Sequence, residues 1–523
     1  MEHLSHKEKM TIIVAIISAQ FFAAVNQTIV GNALPKIIAD LGGIDYYSWV
    51  FTSFMLTSAI MTVVAGKLSD IFGRKPFFLI GIGVFTVGAF LSGLSATIEQ
   101  LIIFRAIQGI GAGLIIPTAF AAVGDLFSPR ERGKWQGIMS SVFGISSVIG
   151  PTIGGYIVDN LEWKWVFWVF LPLGIVAFVL IWRLFPSVER RQNETIDYLG
   201  SIVLAATLVS LLLGLSWGGT EYAWDSGVIL GLFAGAIIGV ILFIFVENRA
   251  KSPILPLHLF KYSNFAFSNL IGFAVGIGMF GGIMYIPYFL QGVLGYSATH
   301  SSFISMTMTL GLVAASTFGG NLITKTGKYK RQATLGLFLT VIGLYLMSTM
   351  DAGTNQFVLV GYQLLVGFGI GIGLTVFTLV AQNSVSQDYL GVATAATQLF
   401  RSIGGTVGVA VLGTVLNTSM KNKLESYDTS AIPPEAAETL AKFQNPALLL
   451  DHTQLDAIES KLPAEMLPLF NEMIHHLQDA LTYALSNVFM LSSVVMLVAA
   501  LLTFFISEVP LRGKAPEAKT KAE

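Results

Sequence analysis

The chain has 523 residues, of which 54% are hydrophobic and only 12% charged, with a mean hydropathy of +0.71. A soluble chain carries about a quarter charged residues, so a soluble globular fold is excluded; the formal net charge of −1 identifies no partner by itself. Cysteine is absent, which excludes disulfides, thiolate metal sites and thiol nucleophiles.

Apolar runs recur at about 20 residues, the length at which a helix crosses a bilayer. Fourteen are expected, near 11–33, 46–66, 76–95, 100–121, 135–157, 163–185, 198–217, 226–246, 265–291, 301–323, 332–350, 356–384, 392–418 and 480–507. The start, MEHLSHKEKM, leads directly into a full-length span, so no cleaved signal peptide is expected. Lys and Arg fall in alternate loops (Lys67, Arg74 and Lys75; Arg130, Arg132 and Lys134; Lys325 to Arg331), whereas the intervening loops hold only Lys36 and Lys164. By the positive-inside rule both termini are expected in the cytoplasm of a cell-membrane protein.

The first span contains AAVNQTIVGN, a neutral polar patch with Gln20 a turn or two before it. After the second span comes GKLSDIFGRKP. Gly66 and Gly73 allow close helix approach and a tight turn. Asp70 can accept from a neighbouring helix N-terminus and pair with Arg74 or a basic residue at 130–134. Such a cluster can latch one end of a transporter shut. FRAIQGIGAG places Arg105 about one turn into the fourth span, where an arginine needs a polar partner or the headgroup region; Gln108, at i+3, shares its face. In the fifth span, GPTIGG puts Gly150, Pro151, Gly154 and Gly155 where proline kinks and glycine permits bending. Residues 419–479 form one long loop with helical stretches, expected outside as a cap.

An internal repeat runs through these motifs: GKLSDIFGRK (66–75) matches GNLITKTGKY (320–329), and RAIQGIGAG (105–113) matches QLLVGFGIG (363–371). The expected organisation is a six-helix bundle (1–192), a two-helix insert (193–250), a second bundle (251–418), the loop, and a last span with its tail (480–523).

TIVGNALP, GKLSDIFGRK, RAIQGIGAG, GPTIGG and WKWVFWVFLPLG (163–174) resemble stretches of the major facilitator superfamily. The span count, insert and last loop are similar to its drug:proton antiporter-2 branch, the QacA/EmrB-like exporters. The resemblance covers nearly the whole chain. It implies an all-α polytopic fold of two six-helix bundles plus two inserted helices. It also implies export of amphipathic, often cationic compounds by alternating access. RSIGGTVGVAVLG (401–413) is similar to the same branch and brings Arg401 into the thirteenth span.

One position departs from that pattern: Asn26 stands where the family has an Asp, and an amide cannot titrate near neutral pH. None of the 31 acids and 7 histidines falls in the middle of a span; the mid-span charges are Arg105 and Arg401. Three readings stay open. Proton coupling sits at Asp70 or Asp125, or transport is not proton-driven, or Asn26 is an introduced substitution. Gln20, Phe22, Asn26, Gln27, Tyr285, Tyr288, Gln291, Phe377 and Gln382 are the expected lining of a cavity for bulky amphipathic molecules. No phosphate-binding loop, zinc-ligand cluster or serine elbow occurs, so no enzyme, cofactor or metal is expected. The expected partners are small amphipaths, protons and the bilayer, with no nucleic acid and a monomeric state; a transport-inactive receptor or scaffold on the same fold is the rival class.

Overall fold

The computed structural model describes residues 5–41, 47–186, 197–219, 221–296, 298–426 and 467–509. Among them the named elements are all helical. The first half holds α1 (His6–Leu41), α2 (Tyr47–Phe72), α3 (Arg74–Gly93), α4 (Ile98–Leu126), α5 (Pro129–Asn160), α6 (Trp165–Trp168) and α7 (Leu171–Leu184). Two further helices follow, α8 (Tyr198–Trp217) and α9 (Gly227–Arg249). The second half holds α10 (Ser263–Tyr288), α11 (Ala298–Thr326), α12 (Lys330–Ser348), α13 (Gln356–Asn383), α14 (Leu390–Glu425) and α15 (Leu467–Leu502). With α6 and α7 counted as one broken span, 14 units are long and apolar enough to cross a membrane.

Local chemistry sets the helix ends. Ser128 and Glu131 form a capping box at the start of α5, with Pro129 in its first turn. Thr97, Asp197, Ser226 and Asn355 accept backbone N–H bonds at the starts of α4, α8, α9 and α13. The sixth span breaks before Leu171 because Pro172 cannot continue the hydrogen-bond ladder from the short α6. Gly73 (φ 87°) and Gly327 (φ 70°) make the left-handed turns after α2 and α11, a conformation that side chains with a Cβ avoid.

The last span differs from the sequence expectation. α15 begins at Leu467, so PLFNEMIHHLQDAL belongs to the helix rather than to a separate cap. That segment contains no breaker after Pro468, and Phe470, Leu477 and Leu481 recur at helical spacing on the buried face. α14 likewise continues to Glu425. The stretches PPEAAETLAKF and LDAIESKL of the expected loop lie outside the described residues.

Each half buries its own core. In the first, Phe22, Phe78, Phe85, Phe120 and Ile181 come together; in the second, Tyr285, Phe289, Val366, Phe377, Leu481 and Phe489. A third cluster joins α8 and α9 to the place where the halves meet, with Val203, Leu204, Leu208 and Phe243 against Val63, Ala393 and Leu399. α9 exposes Ile237, Ile238 and Ile241, as a lipid-facing helix does.

The repeat is visible atom by atom. A Cβ on Gly109 would strike the Phe54 carbonyl, and one on Gly367 the Met308 carbonyl; Gly113 meets Ser58 as Gly371 meets Leu312. Each pair packs the fourth helix of a half onto its second helix, at positions matching in the two repeats.

Candidate functional site

The halves touch along two seams, α2 against α14 and α5 against α11. At the α2–α14 seam a Cβ on Gly66 would collide with Ala395, and one on Gly391 with the Gly66 carbonyl. Asp70, one turn beyond Gly66, then reaches the first turn of α14. Its Oδ1 accepts from Gly391 N and its Oδ2 from Val392 N, both at 3.0 Å. The carboxylate thus caps the positive end of a helix in the other half. Arg74 holds it from behind: Nη2 lies 2.5 Å from Asp70 Oδ1, Nε donates to Asp125 Oδ2 at 2.8 Å and Nη1 to Ser69 Oγ at 2.6 Å. Asp70 and Arg74 are both nearly inaccessible, while Asp125 is 24% exposed. Arg132 does not join this pair; it donates to the carbonyls of Gly124 (2.6 Å) and Phe127 (3.2 Å).

The α5–α11 seam repeats the backbone arrangement with a hydroxyl in the place of the carboxylate. Gly320 lies against the Gly133 carbonyl as Gly66 lies against Gly391. Thr324, at the repeat position of Asp70, accepts from Lys134 N at 3.0 Å. Ser141 Oγ reaches Thr317 at 2.9 Å and donates to the Val313 carbonyl at 3.1 Å. Between the seams Gln382 ties four helices together. Its Nε2 donates to Thr394 Oγ1 (2.8 Å) and the Phe120 carbonyl (3.2 Å), and its Oε1 accepts from Gln136 Nε2 (3.1 Å). Beyond Gly144 the glycines of α5 turn to α1 instead: Gly150 sits on Thr28 and Gly154 on Ile29.

Of the expected cavity residues, several line no open space. Gln20 is fully buried and donates to the Met139 carbonyl, joining α1 to α5; Phe22 is buried against Phe85 and Gly174 within the first bundle. Gln382 closes the floor just described. Tyr285 is buried, with its hydroxyl donating to the Val409 carbonyl. Gln27, Tyr288 and Gln291 are partly exposed, and Gln291 donates to Ser301 Oγ. Phe377 borders a small cavity of about 10 Å³ together with Arg401, room for roughly one water. Hydrophobic pattern identifies a buried face but not which neighbour it meets, which is why bundle-interior and interface positions were grouped together.

Asn26 and Arg105 form one buried network. Asn26 Oδ1 accepts from Gln108 Nε2 (3.4 Å), and Arg105 Nη1 donates to Gln108 Oε1 (2.7 Å). Arg105 Nε reaches the Val50 carbonyl at 3.4 Å, and the guanidinium lies 4.3 Å from the centroid of the Phe54 ring. The cation is fully enclosed, not snorkelling. In the fifth span, α5 runs unbroken through Pro151; Gly150 and Gly154 are packing glycines, while Gly155 has open space where a Cβ would stand.

Sequence reading passed over Gln136 and Thr324, whose partners lie far away in the chain, and Thr394, whose partner Gln382 lies across the turn between two helices; alignment of the repeats would have flagged Thr324. A further buried acid stands at the end of α9. Glu247 is 3% exposed, with Oε1 accepting from Ile254 N at 3.2 Å and Oε2 unpartnered.

A family model for the Major Facilitator Superfamily matches residues 16–409. The chain is 39% identical to the multidrug transporter protein MdtP of Bacillus subtilis, over 99% of this chain and 96% of that protein. It is 33% identical to multidrug resistance protein 3 of the same organism, over 97% of each. Among solved structures, the human organic anion transporter MFSD10 superposes with a TM-score of 0.63, covering 95% of this chain and 99% of that one. At 14% identity that likeness speaks to the fold alone.

Proposed function

The chain belongs to the major facilitator superfamily, and from that premise we propose that it exports amphipathic drug-like compounds by alternating access, in exchange for protons. Two relatives bearing multidrug names along their whole length support the cargo class. The observation that carries the alternating-access reading is the Asp70 contact: a carboxylate of one half capping a helix of the other is a bond that must break for that end to open. Contacts between the halves cluster near this end, so the state described is the one closed there. The Lys and Arg distribution supports reading it as the cytoplasmic end of a cell-membrane protein with both termini inside, and we take the protein to act as a monomer.

Asp70 and Asp125 are the coupling candidates. Both bind Arg74, so a proton reaching either carboxylate competes with that bridge and with the cap on α14. Protonation and opening are thereby linked through one set of bonds. A second reading, facilitated transport without protons, is favoured by Asn26, whose amide replaces the acid the family resemblance implies and is committed to Gln108.

Dye accumulation in cells with and without the protein, repeated after the pH gradient is collapsed, tests both readings. Efflux that stops on collapse supports antiport; efflux that persists down the dye's own gradient supports the facilitator. Equal accumulation in all conditions would overturn transport and leave a scaffold.

A further inference from the structure

We infer that the space between the bundles recognises negatively charged amphipaths, with Arg401 and Gln398 as the anion-binding donors. Movement of such a ligand rests on the transport reading above; its binding does not.

The spans hold two charges away from their ends, Arg105 and Arg401. No Asp or Glu among the described residues lies within ion-pair distance of either. Arg105 is sealed inside the first bundle. Arg401 is only part-buried, and its single hydrogen bond goes from Nη2 to Gln398 Oε1. Its Nε and Nη1 make no hydrogen bond, and the side chain borders the small cavity beside Phe377. Gln398 completes the set: the side chain is 5% exposed, its oxygen is taken by Arg401, and its Nε2 is buried with no acceptor. The site therefore offers N–H donors from two side chains and no carboxylate; Thr378 and Thr397 line the same cavity as neutral hydroxyls that donate to their own helices, a set that suits a carboxylate or sulfonate.

Its position suits a cargo. Arg401 lies seven residues beyond Thr394, hence on nearly the same face of α14 and roughly 10 Å further along it. Thr394 meets Gln382 in the floor where the bundles close, so Arg401 stands about two turns above that floor. Phe377, Val275 and Leu374 border the same small cavity and supply an apolar wall. α10 fixes the backbone here, since Gly276 packs directly on the Arg401 carbonyl. A cation entering this space finds no carboxylate and one uncompensated positive charge. An anion gains charge-assisted bonds, each worth roughly tenfold or more in affinity.

The test is a fluorescence titration of the purified full chain in phosphatidylcholine nanodiscs, with anilinonaphthalene sulfonate as the anion and ethidium as the cation. The sulfonate is expected to bind more tightly than ethidium. Arg401→Gln should weaken it roughly tenfold or more, Arg401→Lys should largely retain it, and Gln398→Glu, which seats a carboxylate against Arg401, should abolish it. Thermal unfolding of each variant separates loss of the site from loss of the fold. Tighter ethidium binding, or sulfonate affinity unchanged in Arg401→Gln and Gln398→Glu, overturns the inference. Displacement of the sulfonate by phosphatidylglycerol added to the discs would assign the donors to a lipid headgroup and likewise overturn a cargo role. In proteoliposomes, sulfonate that binds through Arg401 but is never moved refutes transport while the anion site stands.

Discussion

Asp70→Asn removes charge from the α2–α14 seam while keeping the side chain's shape. The amide oxygen can still accept from one backbone N–H of α14, but the NH2 group now faces the other, donor against donor. Two charge-assisted hydrogen bonds become at most one neutral bond, and Arg74 loses one of its two carboxylates. Hydrogen bonds to charged groups contribute about 1.5–3 kcal/mol each against about 1 kcal/mol for neutral ones. The closed state should therefore lose about 3 kcal/mol relative to the open one, which never had the α14 contact. That moves the closed-to-open ratio roughly a hundredfold. The native chain lacks cysteine, so spin labels can be attached cleanly at Lys134→Cys and Lys325→Cys, exposed positions on either side of the other seam at the same end. Distance distributions by pulsed paramagnetic resonance should shift to longer separations in Asp70→Asn. Thr324→Ala, which removes the neutral cap on Lys134 N across that seam, should shift them by only about fivefold in population. An Asp70→Asn distribution identical to the parent would refute the cap as a determinant of closure.

Gly66→Val places side-chain atoms where Ala395 and the Gly391 carbonyl already sit; overpacking of about 1–3 kcal/mol should hold the same end open, read as increased labelling of a cysteine introduced on that face. Gly150→Ala and Gly155→Ala should diverge: the first collides with Thr28 and should cost about 1–3 kcal/mol, whereas the second has open space and should fall within about 0.5 kcal/mol of the parent, as thermal unfolding in detergent would report. Asn26→Asp puts a carboxylate beside Gln108 and within the Arg105 network; expression should persist and the pH dependence of transport should change. An unchanged pH profile would mean that the coupling group lies elsewhere.

The span pattern was legible because bilayer thickness imposes a length and lipid imposes apolarity, neither of which depends on the partner. The same logic failed at α15: Phe470 and Leu477 belong to an amphipathic turn, and a scan for uniform apolarity starts the helix only at residue 480. Arg105 with Gln108 was readable, since i and i+3 meet on any helix. Gln20 and Gln382 were not, because a buried amide in the first or second half reads the same whether it glues α1 to α5 or closes the floor between bundles. The cap of Asp70 on α14 depends on a partner more than three hundred residues away. Only the repeat could have narrowed it, by placing Gly391 opposite Gly66 as Gly133 is opposite Gly320.

The repeat also explains what was kept and what was varied. Close backbone crossings at Gly66–Gly391 and Gly133–Gly320 demand glycine in both halves, so both retain it. The capping position carries no such demand, and there the halves diverge: Asp70 with Arg74 and Asp125 on one seam, Thr324 with Lys328 and Asn383 at the matching places on the other. Two seams with one backbone frame thus differ at the capping position, a carboxylate on one and a hydroxyl on the other. On the proposed proton coupling, the α2–α14 seam is the one expected to respond to protons. On that proposal, a frame with one carboxylate cap makes opening of that end pH-dependent without any acid in the middle of a span.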